Sequence, residues 1–450
     1  MMDLNHEIRD PVHGLIGLTG LEVKVINSRP FQRLRNIKQL ALANLVFPGA
    51  IQTRFEHSLG TMHVAYRIAE HLRTRDFVDI NDEDLQNLRL AGLLHDIGHG
   101  PFSHVSEELL KKHYVGEGSD EEIHEKITYN ILQKNEELVK IIGSSQIEAI
   151  CNILTTERST DDYRHDIVSG SIDADKMDYL LRDSYYSGVK YGVFDLDRLV
   201  NVMAVHETGT DTKLIINAEG IETVEQYVFA KYFLSRQVYQ HRIRMITDHM
   251  IVRGISSQIV EGNEELRRLY TYSDTEEYCN NYLDFDDQKV TYSACSGETS
   301  DDGFFYRLGE RRLLKELYNG KWDDLKKGNY LKTTRIALIK GGKTDEIEKE
   351  IAEAFGLSAT ITHLKLFSLK NPSPFSTDKI LDEEAVYIRS SNNSITSLND
   401  ESDIFRRLVK DAGRYRVAVY GDPSESMNKL TSSEITSKVE EIIKNYIGGN

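Results

Sequence analysis

Across residues 31–270 the apolar positions recur every three or four residues, the period of helices that bury one face. Met62, Ala65, Ala69 and Leu72 make one such stripe. Asn81 is placed to cap a second helix that carries Leu85, Leu88 and Leu94, with Asp84 in its first turn, and that runs into the pair His95–Asp96. Gly98, Gly100 and Pro101 then break or turn the chain; His95 and His99, four residues apart, share a face if the helix reaches that far. Further helices are predicted over 125–142, 174–183 and 222–260, with a short extended piece at 213–216.

Beyond residue 270 the texture changes. Residues 273–288 are acidic and irregular, and 305–318 read as helix. Strand-like runs follow at 335–339, 364–369, 385–388 and 414–420, and Thr344 is placed to cap a helix bearing Ile347, Ile351 and Phe355. Sheet plus helix predicts a small α+β lobe. The Ser/Asn-rich stretch 390–402 reads as a loop and the Gly-Gly-Asn tail as frayed. There is no internal repeat and no coiled-coil pattern.

Composition narrows the class. The 450 residues exceed the usual size of one domain, and 40% hydrophobic with 28% charged residues is ordinary for a globular chain in water. A net charge of −17 disfavours an extended basic surface for duplex DNA or anionic membranes, while permitting a local basic pocket; a nucleic-acid partner is left open. Cys151, Cys279 and Cys295 form no CxxC pair and no disulfide framework, as expected of thiols in a reducing compartment. The N-terminus MMDLNHEIRD lacks a signal-peptide layout, and no stretch approaches the roughly 20 apolar residues that span a bilayer. The expected setting is cytoplasmic, with no membrane partner.

The candidate chemistry lies in three phrases: RFEHSLG, LLHDIGHGPFSH and IDADKMDYLLRD. A lone His–Asp pair means little, and a lone buried His is more often a satisfied core residue than a ligand. The sum is different: His57, His95 and Asp96, with a carboxylate from the third phrase, make a mixed N/O donor set suited to a divalent ion. Spacing alone leaves Asp173, Asp175 and Asp178 open for the last place. Iron, manganese, magnesium, cobalt and zinc all accept parts of such a set.

These phrases, together with DPVHG, FQRLRNIKQL, VFPGA and YQHR, resemble the HD-domain phosphohydrolases, and within them the deoxynucleoside triphosphate (dNTP) triphosphohydrolases. The similarity covers most of the chain and weakens in the C-terminal lobe; no sterile-alpha-motif-like module is expected before Asp10. The resemblance implies a mainly α fold, an HD-domain helical bundle with a smaller C-terminal α+β lobe. The expected division is a catalytic core with an N-terminal regulatory segment over 1–270, a helical and irregular connection over 271–330, and the lobe over 331–450. It implies ligation of a divalent metal by His57, His95, Asp96 and Asp175, and water attack at the α-phosphorus that releases a deoxynucleoside and triphosphate. His99 and His124 are then expected near the reacting phosphate, and His104 as the proton donor to the leaving 5′ oxygen, since an imidazole suits both tasks. Its orienting carboxylate is Glu107, where relatives commonly carry Asp.

The resemblance also implies a substrate pocket. Arg54 reaches the α-phosphate, a role suited to a guanidinium. Lys176, Tyr179 and Asp183, spaced three and four apart, take phosphate, sugar-packing and 3′-hydroxyl roles. Gln39 and Leu40 match a sugar pocket that leaves no room for a ribose 2′-hydroxyl. Tyr239 stacks on sugar or base. Lys231 stands where relatives have Arg, keeping charge but losing the fork, and Ser235 replaces a His. Gln32 and Arg35 match a candidate activator pocket, with Asn27 where a guanine-reading Asp would stand; Asn is no ionised acceptor. The expected partners are a dNTP substrate, an activating nucleotide of open identity and further copies of the chain, a tetramer favoured. Competing readings are another HD-type nucleotide phosphohydrolase, a phosphodiesterase or nuclease, or a non-catalytic nucleotide-sensing assembly; the absence of a GYP motif after HDIG argues against the cyclic-dinucleotide branch.

Overall fold

The structure, a computed structural model, describes residues 2–75, 77–113, 123–155, 162–297, 303–321, 343–357, 363–367, 386–390, 394–404, 416–423 and 427–447. It forms two compact units, Met1–Gly309 with Pro374–Arg406, and Glu310–Ser373 with Arg407–Asn450. The fold is mainly α, with a sheet-containing C-terminal region.

The first unit opens with a hairpin, His6–Asp10 against Gly14–Leu18. Asp10 Oδ1 accepts from the backbone of Val12 and His13 at 2.8 and 2.9 Å, and Gly14 at φ 77 completes the turn. Thr53 and Glu56 form a capping box at the start of helix Arg54–Thr74, so the chain enters this helix at a fixed angle with Arg54 as its first residue. The Met62–Leu72 stripe is wholly buried. Helix Asp82–Leu94 packs against it, its N-terminus capped by Asn81 as predicted. Leu85, Leu88 and Leu94 are fully buried, each contributing roughly 1.5–3 kcal/mol by removal from water. Arg89 of this helix makes two contacts with Glu22, Nε–Oε1 2.6 Å and Nη2–Oε2 2.7 Å, and ties the N-terminal segment to the bundle.

Several predicted elements are broken. The Asp82–Leu94 helix ends before His95, so His95 and His99 share no continuing helix face. The 125–142 segment is two helices, Ile123–Lys134 and Glu136–Ile142, because Asn135 turns its side chain onto Leu138 N and starts the second. The 222–260 segment divides into Ile221–Leu234 and Arg242–Val260 around a π-type turn, Ser235–Tyr239. Helix Ala174–Ser187 runs four residues past its predicted end to a left-handed Gly188.

The extended piece at 213–216 lies in strand Asp211–Asn217, which pairs antiparallel with Met203–Thr208, a strand the sequence reading missed. Its other edge receives Tyr387–Arg389 in parallel, and Ile395–Ser397 completes a four-stranded sheet. The expected 390–402 loop therefore contains a strand and the short helix Leu398–Glu401. Likewise 273–288 contains helix Glu276–Tyr282.

In the second unit Arg416–Gly421 is the middle strand, antiparallel to both Lys315–Lys321 and His363–Phe367. Tyr318, expected on a helix, lies on a strand, because the helix from Phe304 ends at Gly309. Helix Lys343–Phe355 includes Thr344 instead of being preceded by it as a cap. Its Ile347, Ile351 and Phe355 pack with Val419, Val439 and Ile443 as the core. The 335–339 run and the Gly-Gly-Asn tail lie outside the described residues.

Candidate metal centre

Four donors meet where three parts of the bundle converge. His57 lies on the first turn of helix Arg54–Thr74, His95 and Asp96 directly follow helix Asp82–Leu94, and Asp175 is in the first turn of helix Ala174–Ser187. Ligand atoms of His57, His95 and Asp96 all lie within 4.8 Å of one another. Asp175 Oδ1 is 2.9 Å from His57 Nε2 and 3.5 Å from His95 Nε2. Each imidazole is turned by its other nitrogen: His57 Nδ1 is 2.8 Å from Asp178 Oδ2, and His95 Nδ1 2.8 Å from the Gly92 carbonyl. Both Nε2 atoms therefore face the carboxylates, the arrangement that outer partners impose on metal-binding histidines. Burial pushes His57 down, yet Asp175 and Asp178 reverse this and raise it to about 10. A place that favours positive charge so strongly, lined by neutral nitrogen and carboxylate oxygen, fits a divalent cation.

Of the three carboxylates left open by spacing, each has a distinct environment. Asp173 caps its helix through Lys176 N at 2.7 Å and pairs with Lys176 Nζ at 2.6 Å; burial pushes its carboxyl up to about 6. Asp178 sits behind His57, held by Arg182 through Nε–Oδ2 and Nη2–Oδ1, both 2.9 Å, and by His13 Nε2 at 2.7 Å. Arg182 also binds Asp10 at 2.7 Å, which joins the N-terminal hairpin to the centre. The space for this network comes from Gly60, where a Cβ would lie 1.8 Å from Asp178 Oδ1. Only Asp175 turns to the two Nε2 atoms.

Beside the donors stands a cluster around Glu107. Its Oε1 lies 2.8 Å from His104 Nδ1, 3.3 Å from His124 Nδ1 and 3.4 Å from His99 Nδ1. The longer Glu side chain thus still reaches His104. Burial pushes Glu107 up, but the His104 and His124 imidazoles outweigh it and hold it far below the usual carboxylate range. His99 stacks on His124 at 4.0 Å, and its Nε2 is 3.3 Å from Asp96 Oδ1. Burial, then the Arg54 guanidinium, keeps His99 well below the ordinary histidine value, so it is a neutral imidazole near pH 7. His104 is the exposed member, at the start of its helix.

Arg54 is 1% exposed; it pairs with Asp96 through Nη1 and donates from Nε to Ser103 Oγ at 2.9 Å, while Nη2 has no hydrogen-bond partner. A buried guanidinium nitrogen left over in this way is an open donor for an anion. Ser103 and Phe102 have φ of 56 and 60, the left-handed region, each costing roughly 1–2 kcal/mol for a residue with a side chain. Their turn is held by Phe102 N donating to Asp287 Oδ1 at 2.6 Å, by Ser103 Oγ donating to the Lys38 carbonyl at 2.7 Å, and by Ser103 N donating to Gly100 O at 2.9 Å.

The expected nucleotide residues fall into three groups. Asp183 is buried and accepts from Gln52 Nε2 at 2.7 Å and Tyr239 OH at 2.8 Å, and Tyr179 packs edge-on against Tyr239 at 6.1 Å. Burial pushes the Asp183 carboxyl up. Gln39 and Leu40 are buried on the adjacent segment, where Gln39 N donates to the Gln52 carbonyl at 3.0 Å. Lys176 Nζ is turned to Asp173 and to the Gly170 carbonyl, and Lys231 lies half-buried in the last turn of helix Ile221–Leu234. In the candidate activator set, Arg35 Nε donates to Gln32 Oε1 at 2.9 Å and its guanidinium covers the Phe55 ring, whereas exposed Asn27 ends helix Gly20–Ile26. Ser235 starts the π-type turn.

Sequence reasoning gave no role to His13, Gln52, Ser103, Arg182 or Asp287. The DPVHG and IDADKMDYLLRD phrases contained His13 and Arg182; Gln52 and Asp287 carry no local mark.

Comparison with known proteins adds three findings. A family profile described as "HD domain" matches residues 54–183, and one described as "HD associated region" matches 194–429. An uncharacterised protein of Methanocaldococcus jannaschii is 30% identical over 440 residues, 97% of this chain and 83% of that protein. The deoxynucleoside triphosphate triphosphohydrolase SAMHD1 of Gallus gallus is 32% identical over 280 residues, 56% of this chain and 45% of that protein; the human SAMHD1 is 29% identical, with 44% covered. The chain thus spans about half the length of these two enzymes. Among solved structures, a phosphohydrolase from Bacteroides thetaiotaomicron has the same fold, with TM-score 0.72 at 22% identity over 93% of this chain and 100% of that one. A hypothetical protein from Aquifex aeolicus aligns with TM-score 0.66 at 27% identity, covering 97% and 99%.

Proposed function

This chain belongs to the HD-domain family, with an HD domain followed by an HD associated region, and from that premise we propose that it is a metal-dependent dNTP triphosphohydrolase. The carrying observation is the juxtaposition of the His57, His95, Asp96 and Asp175 donors with Arg54, whose Nη2 is buried and open. In this reading those four residues hold a divalent ion. Bound there, the ion supplies Lewis-acid polarisation of a phosphoryl oxygen and an activated water.

The chain's own residues do the rest. Arg54 neutralises the α-phosphate, and neutral His99 borders it. His104, turned by Glu107, delivers a proton to the departing 5′ oxygen of the nucleoside. Asp183, fixed by Gln52 and Tyr239, receives the 3′-hydroxyl, and Gln39–Leu40 close over C2′. Lys176 and Lys231 serve the outer phosphates, Lys176 by leaving Asp173. Support for a dNTP comes from the two SAMHD1 relatives, which carry that activity in their names. The reading extends to a homo-oligomer, a tetramer favoured, with a nucleotide near Gln32, Arg35 and Asn27, and to a cytoplasmic setting. Among the described residues no helix is long and apolar enough to cross a membrane.

The test is product analysis of the metal-loaded protein with each dNTP and its ribonucleotide, for iron, manganese, magnesium, cobalt and zinc separately. Triphosphate and deoxynucleoside are expected; pyrophosphate or monophosphate as first product overturns the reaction. Light scattering with and without dNTPs tests assembly.

A further inference from the structure

We infer that Asp287 is a positioning residue for this reaction: one buried carboxylate from the HD associated region sets the spacing between the sugar pocket and the phosphate-facing arginine. The inference rests on the proposed dNTP hydrolysis and names a residue which that reading does not use.

Asp287 is the first residue of helix Asp287–Gly297, yet it does not serve that helix. Its neighbour Asp286 does, accepting from Lys289 N at 2.8 Å. Asp287 turns inward, 7% exposed, and accepts two backbone N–H groups: Phe102 N at 2.6 Å on Oδ1 and Lys38 N at 3.0 Å on Oδ2. These donors belong to the two segments that carry the site. Lys38 directly precedes Gln39–Leu40, and Phe102 directly precedes Ser103, which accepts from Arg54. Ser103 Oγ closes the ring by donating to the Lys38 carbonyl.

The neighbouring residues act in the same sense. Tyr282 OH donates to the Gly98 carbonyl at 2.9 Å, and Arg33 donates to the His99 carbonyl at 2.9 Å and to the Phe285 carbonyl at 2.7 Å. Gly100 is required there, since a Cβ would lie 2.7 Å from Tyr282 OH. The 98–103 turn is thus gripped at Gly98 by Tyr282, at Phe102 by Asp287, and at His99 by Arg33, which is itself tied to the Phe285 carbonyl. Phe102 and Ser103 are left-handed without being glycine; the local bond from Ser103 N to Gly100 O closes the turn, and the carboxylate on Phe102 N, with the Lys38 carbonyl on Ser103 Oγ, fixes Ser103 under Arg54.

The experiment compares wild type, Asp287→Ala, Asp287→Asn and a control, Asp286→Ala, which weakens the same helix end without touching the turn. Expected for Asp287→Ala is a kcat on dNTPs lowered roughly ten- to a hundredfold by misplacement of Arg54, with bound metal per chain unchanged. The preference for dNTPs over ribonucleotides is expected to fall as well, because Gln39–Leu40 shift relative to the phosphates. Asp286→Ala is expected to lower the melting temperature and leave kcat within about twofold. Asp287→Asn, which offers an NH2 where one N–H needs an acceptor, is expected between wild type and Asp287→Ala. Equal kcat in wild type and a folded Asp287→Ala overturns the inference, as does an equal loss in Asp286→Ala or a loss that follows metal content. If Asp287→Ala does not fold, Asp287→Asn is judged by the same criteria.

A wild type that releases no triphosphate sinks the dNTP reading and leaves the grip to be judged by amide hydrogen exchange, which needs no substrate. Asp287→Asn is then expected to speed exchange at Lys38 and Phe102 by roughly tenfold or more, and unchanged rates at both overturn it.

Discussion

His57 and His95 hang from helices whose apolar faces are buried for reasons unrelated to chemistry, whereas Phe102 and Ser103 occupy left-handed φ in a turn that no local preference favours. The first region is set by helix packing plus an ion network, Asp178–Arg182–Asp10 with His13, that is complete within the hairpin and three helices. The second is set by distant side chains that grip its backbone: Phe102 N donates to the Asp287 carboxylate 185 residues away, and the Gly98 carbonyl accepts from Tyr282 OH 184 residues away. Under the proposed function, the candidate metal donors are then robust, while the residues proposed to meet the phosphate depend on remote grips. The difference predicts that damage to the first region removes metal, and damage to the second removes turnover and spares metal.

The largest effect should come from His57→Ala or Asp175→Ala. Each should empty the centre, seen by elemental analysis, and lower turnover by about 10³-fold or more, near what loss of the activated water implies. Full metal content in Asp175→Ala would refute its ligand role. His99→Ala should cost roughly 10²–10⁴-fold in turnover with metal retained, and this contrast is the sharpest test of the division; an emptied centre in that variant would erase it. Asp178→Asn leaves every donor present but unfixes His57, so metal affinity measured by competition should fall about 10–100-fold. An unchanged affinity would show that the outer network is only scaffolding.

The smallest effect concerns pH. Burial pushes the Asp287 carboxyl up to about 6, so the folded chain holds a proton that the unfolded chain has released. Its contribution is complete below the ordinary aspartate range and is lost as pH rises through 6, at about 1 kcal/mol per pH unit. Denaturant unfolding of wild type minus Asp287→Asn between pH 4 and 6 should show that downward slope; a flat difference would mean that Asp287 is ionised throughout.

Much of the first region is legible in the sequence because helices write themselves as periodicity. The Met62–Leu72 stripe, the Asn81 cap and the HD pair at the helix end are all local patterns. The break at Ser235–Tyr239 left no trace, since that turn contains neither Pro nor Gly and its residues fit a helix. Strand Lys315–Lys321 was misread because its apolar residues are few and its partner is a hundred residues later. Asp287 could not be singled out among 72 acidic residues, for its importance lies in two amides that fold beside it. Gln52 is the same case: its neighbour Asp183 is 131 residues away, and glutamine has no spacing rule.

The parallel pairing of Tyr387–Arg389 with Asp211–Asn217 also bears on how the nascent chain survives synthesis. One edge of that strand stays bare until some 170 further residues have left the ribosome, on the order of ten to thirty seconds at ordinary elongation rates. Unpaired backbone of this kind is a template for aggregation, so the late-arriving segment is also the piece that makes a finished chain safer than a partial one.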